Sequence, residues 1–174
     1  MKRLPAVAVV CAALVLSSFA QEKNPVTSVV REILPRQQKN IIAAVEEMPA
    51  DKFSYKPTPG QMSFGKLVLH ITEANNFFCG KIGGSAPAKS SQLKETDAKD
   101  RLLQAMKSSF DFCDRTLGKM DDSRLGEKIQ ALGGRQAPLA WAMIALTSSG
   151  ADHYGAAATY LRRNGLTPPT AEKK

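Results

Sequence analysis

Histidine is scarce in this chain: only His70 and His153 occur in 174 residues. That scarcity narrows the chemistry. A serine or cysteine hydrolase needs a base and an orienting group beside its nucleophile, and no such triad is complete here. A metal site built on imidazoles alone falls short of the three protein ligands that open catalytic sites normally keep. No phosphate-binding loop is present, since Gly83-Gly84 reads as punctuation after a helix and Gly133-Gly134 as a turn. The one tryptophan, Trp141, reads as core or rim packing. Long apolar runs are lacking too. The best candidate, Pro5 to Leu16, is well short of the roughly 20 residues that cross a bilayer.

That run fits a secretory leader instead. Lys2 and Arg3 precede it, and Ser18-Phe19-Ala20 supplies the small residues that a signal peptidase reads. Residues 1–20 are therefore expected to be a signal peptide cleaved before Gln21, giving a secreted or periplasmic protein. Cys11 lies inside the apolar run, where it does not suggest a lipid anchor. Residues 21–169 are then expected to form one domain, with residues 170–174 as a frayed tail. The leader takes two of the 24 basic residues, leaving 22 against 16 acidic ones. These cations are scattered rather than clustered with aromatics, so the reading is a solvated basic surface with no nucleic acid partner.

Apolar spacing predicts four helices and no strand. Asn24-Pro25 is a cap and first-turn pair, and Val26, Val29, Val30, Ile33, Ile41, Ala44, Val45 and Met48 keep a helical period. Pro35 is expected to kink or restart that helix. Ser63 is a good N-cap for a second helix reaching about Ile82, with Met62 and Leu67 placed as a hydrophobic staple. Thr96 is expected to cap the third, whose apolar stripe includes Leu102, Met106, Phe110, Cys113 and Leu117. Pro138 opens the fourth, where Leu146, Ser149, His153, Ala156 and Tyr160 share a side. Gly165 fits its left-handed cap, and Pro168-Pro169 prevents continuation.

The connection from Gly83 to Glu95 is long enough to span about 40 Å, more than the roughly 30 Å length of a 20-residue helix. Helices two and three can therefore run parallel, although a plain up-and-down bundle is also allowed. Cys79 and Cys113 would then stand at nearly the same height, able to pair in an oxidising compartment. The alternative is two buried free thiols acting as small apolar residues.

Several blocks together resemble the DinB-like proteins across about residues 25–169. They are Met48-Pro49-Ala50-Asp51-Lys52-Phe53, the run from Pro59 to Gly65, Leu67 to Ile71 around His70, His153-Tyr154-Gly155, and Tyr160-Leu161-Arg162. The resemblance implies an all-α, up-down-down-up four-helix bundle, often dimeric. It also implies a divalent metal, zinc or nickel, on one histidine of helix two and an H-x-x-x-H pair of helix four. Thiol S-transferases are among the characterised relatives.

His70 and His153 match two of those ligands, but Ser149 stands where the third histidine would be. A hydroxyl is a poor zinc or nickel ligand beside an imidazole. Glu73, one turn beyond His70, is the other candidate third ligand, whereas Asp152 points about 100° from His153 around the helix. Two readings follow. In one, an exported bundle binds a small molecule or partner in a degenerate pocket of His70 and His153, with Asp152, Tyr154 and Tyr160 around it and Ser149 or Tyr154 as hydrogen-bond partners. In the other, a metal on His70, His153 and a third group activates a bound thiol or water.

Overall fold

The computed structural model describes residues 22–85 and 93–171, so the expected leader and the last three residues of the expected tail lie outside it. Four helices dominate: α1 (Pro25–Glu47), α2 (Phe64–Gly83), α3 (Lys99–Leu117) and α4 (Leu139–Arg163). Between α3 and α4 a small antiparallel hairpin pairs β1 (Lys128–Gln130) with β2 (Gln136–Pro138), setting Ile129 opposite Ala137. That hairpin corrects the expectation of no strand. Its three-residue strands are too short to show alternation, and only the Gly133-Gly134 turn marked the spot.

Local chemistry explains most helix ends. The Ser63 hydroxyl accepts from the Lys66 amide at 3.1 Å, as an N-cap should. Met62 is 43 % exposed, so it is not buried as a staple would be. At the end of α4, Gly165 has φ +73°, its amide donates to the Arg162 carbonyl, and the Leu166 amide donates to that of Leu161. This is the Schellman arrangement, with Leu166 packed back on the core.

Two expected boundaries differ. Pro35 lies inside an unbroken α1, because both it and Arg31 are exposed and water can take the carbonyl that the proline leaves unpaired. Helix α3 starts at Lys99 rather than just after Thr96. Asp97 takes the local bonds: its carboxylate accepts from the Lys94 amide at 2.9 Å and pairs with Arg101 at 3.2 Å.

Neighbour contacts give the helix directions. Gly65 lies against the Glu95 carbonyl so closely that a Cβ there would collide with backbone. The Asn75 amide donates to Ser109 at 3.0 Å, Cys79 is bonded to Cys113, and Gly83 lies against Thr116. These numbers rise together, so α2 and α3 are parallel. By contrast Arg31 reaches Leu117, Gln38 reaches Asp114 and Glu46 pairs with Lys107, making α1 and α3 antiparallel. The contacts Phe64–Tyr160, His70–His153 and Phe78–Trp141 make α2 and α4 antiparallel. The bundle is therefore up-down-down-up.

Its core falls into two apolar clusters. One joins Ile41, Val45, Phe64, Val68, Met106 and Leu161; the other joins Leu34, Ile82, Leu117, Leu139, Met143 and Leu146. At middle heights between them sit polar side chains from all four helices, including Gln38, Asn75, Ser109 and His153. Buried polar groups need partners, and Gln38 and Asn75 find theirs on α3.

The Cys79 and Cys113 α carbons are 5.2 Å apart and the two residues are 34 apart in sequence. Closing a loop of that size stabilises a fold by roughly 3 to 4 kcal/mol on the chain-entropy model. Thiol titration of the denatured, unreduced chain from residue 21 onward should therefore find no free thiol, and a Cys79→Ala/Cys113→Ala double variant should unfold at clearly lower denaturant concentration. Two titratable thiols in the unmodified chain would be the contrary result.

Candidate functional site

The antiparallel course of α2 and α4 brings their middle turns face to face. There the His70 and His153 rings meet edge to face, with centroids 5.0 Å apart and planes at 87°. His153 is 8 % exposed, whereas His70 is half-buried and borders solvent. One turn before His153, the Ser149 hydroxyl lies 3.2 Å from His153 Nδ1. Burial pushes the His153 pKa below its ordinary 6.5; the nearby His70 lowers it further, and Asp152 opposes both. His153 is consequently neutral at pH 7, with one ring nitrogen facing Ser149 and the other carrying the complementary donor or acceptor role.

The remaining candidates point elsewhere. Glu73 and Asp152 are exposed. The Tyr154 hydroxyl bonds to the Thr170 side chain at 2.7 Å and accepts from the Thr170 amide at 3.0 Å, so it holds the chain after α4 rather than His153. Tyr160 donates to the Met62 carbonyl at 2.7 Å and packs against Tyr55 and Phe64. Burial raises its pKa, and Tyr55 adds to that. Of the two hydrogen-bond partners expected for His153, Ser149 takes the role and Tyr154 does not.

A metal on three imidazoles does not fit this set of donors. The third position is a serine whose hydroxyl already meets His153, and the carboxylates of Glu73 and Asp152 are exposed. Among the described residues, no three His, Cys, Asp or Glu side chains are grouped to hold a metal ion.

One neighbour of the site gave no signal in the sequence. Gln37 of α1 donates to the Thr147 carbonyl at 2.9 Å, while its Oε1 is buried with no hydrogen-bond partner among the described residues. That amide fits against α4 because residue 150 is glycine, and a Cβ there would run into Gln37. Gly150 thus admits a side chain of α1 against α4.

A profile of the DinB superfamily matches residues 33–157. The chain belongs to the DinB superfamily. Its architecture is shared by solved relatives. A DinB-like protein of Bacillus subtilis superposes with a TM-score of 0.67 at 20 % identity, over 84 % of this chain and 99 % of its own. One from Bacillus cereus ATCC 10987 gives 0.68 at 15 %, over 83 % and 97 %. A conserved protein from Enterococcus faecalis gives 0.62 at 14 %, over 77 % and 94 %. These identities establish the DinB fold and carry no information on reaction. No curated protein matches the chain.

The lowered His153 pKa makes a pH prediction. Below about pH 6.5 the unfolded chain binds a proton there that the folded chain resists, so stability rises with pH across this window. The melting temperature should fall as pH drops from 7.5 through 6.5 and below, and His153→Gln should remove part of that fall. An unchanged pH profile in the variant would show that His153 does not contribute.

Proposed function

We propose that this DinB-family bundle is an exported binding protein in which His70, His153 and Ser149 anchor a small polar molecule between α2 and α4 without a metal ion. The observation that carries the reading is the 3.2 Å contact between Ser149 and His153 Nδ1. It commits one face of the imidazole to a hydroxyl at the position where the three-ligand pattern requires another imidazole. A neutral His153 then offers a ligand a directed donor or acceptor, and the half-buried His70 supplies a second group at the solvent border. Export is supported by the leader-like first twenty residues and by a disulfide that favours an oxidising compartment.

Elemental analysis decides between this and the metal-dependent reading. Protein purified without added metal should contain no stoichiometric zinc or nickel, and Ser149→His, which completes three imidazoles, should acquire it. Stoichiometric metal in the unmodified protein, lost in both His70→Ala and His153→Ala, would overturn the proposal in favour of a metal enzyme of the thiol S-transferase type.

A further inference from the structure

The face of α2 that carries His70 continues to a cleft nearer the end of the helix. Seven residues on, about 10 Å along the helix, Phe77 forms the floor of a cleft of about 470 Å³. The cleft lies between the C-terminal half of α2 and the hairpin, with Ile129 and Gln130 of β1 as the opposite wall. Its volume falls in the range of roughly 300–1,000 Å³ typical of small-molecule sites. Gly80 and Gly84, one turn apart, contribute no side chains to the helix side.

The chemistry of the lining is specific. Lys81 places its ammonium 5.5 Å from the centre of the Phe77 ring, and Asn76 and Gln130 bring carboxamides to either wall. The four ion pairs among the described residues do not involve Lys81. A cation in the last turn of α2 complements the helix dipole. That role requires neither an aromatic floor nor an opposing wall with amides. An aromatic ring, a cation held over it and flanking amides together match a flat ring carrying an anionic group.

We propose that this cleft is a binding site for small aromatic carboxylates, the carboxylate meeting Lys81 where its ammonium lies over Phe77 and the ring packing between Phe77 and Ile129. The site is separate from the histidine pair, and it stands or falls independently of the function proposed above.

Amide chemical-shift titration of the full mature chain with benzoate, and with benzylamine as the cationic counterpart, tests it. Benzoate should shift the amides of Asn76 to Ser85 and of Ile129 and Gln130 along saturable curves, and benzylamine should not. Lys81→Gln should weaken benzoate binding about tenfold or more, the scale of one charge-assisted contact, whereas His70→Ala should leave it unchanged. Absence of saturable shifts, equal binding of benzylamine, insensitivity to Lys81→Gln, or loss of binding in His70→Ala would each overturn the proposal.

Discussion

Holding α2 and α3 parallel is the constraint on which the rest of the structure depends. Parallel neighbours cannot be joined by a tight turn, so the chain must travel the length of the bundle between them. Three contacts hold the pair in register: the Glu95 backbone against Gly65, Asn75 on Ser109, and the Cys79–Cys113 bond. Once α3 runs with α2, α1 opposes both and α4 returns antiparallel to α2. That return sets His153 opposite His70 at mid-height. The candidate site is thus a consequence of topology as much as of the two residues that form it.

The same geometry divides the interior. Apolar clusters fill each half, while middle heights carry polar groups that must find partners or reach solvent. Gln38 and Asn75 are satisfied across helix interfaces. His153 has Ser149 and His70 beside it, and stays uncharged because burial and a second imidazole both oppose protonation. A serine at position 149 suits this arrangement, because its hydroxyl meets the neutral ring nitrogen as donor or acceptor alike.

How much of this could be read from sequence depended on the range of the forces involved. Helix periodicity, the Ser63 cap and the Gly165 turn are local and repeat over several residues, so they were readable. The pairing of the cysteines followed from their heights along helices once a parallel pair was allowed, and the meeting of His70 with His153 from the resemblance to the DinB-like proteins. Choices made by tertiary context were not readable. Asp97 rather than Thr96 organises the start of α3, Tyr154 turns to Thr170, and Gln37 lies across Gly150; each depends on which neighbour a side chain meets. The hairpin was missed because three residues per strand give no period to detect.

Several helix ends are satisfied from far away in sequence. The Asp122 carboxylate accepts the Val26 and Thr27 amides at the start of α1, and Lys99 donates to the Glu46 and Met48 carbonyls at its finish. Arg31 in turn closes α3 through the carbonyls of Leu117 and Met120. Helices α1 and α3 thus cap each other's ends, and α1 cut out as a peptide would lose partners at both of its own. Loosening the segment around Asp122 therefore frays a helix that began almost a hundred residues earlier.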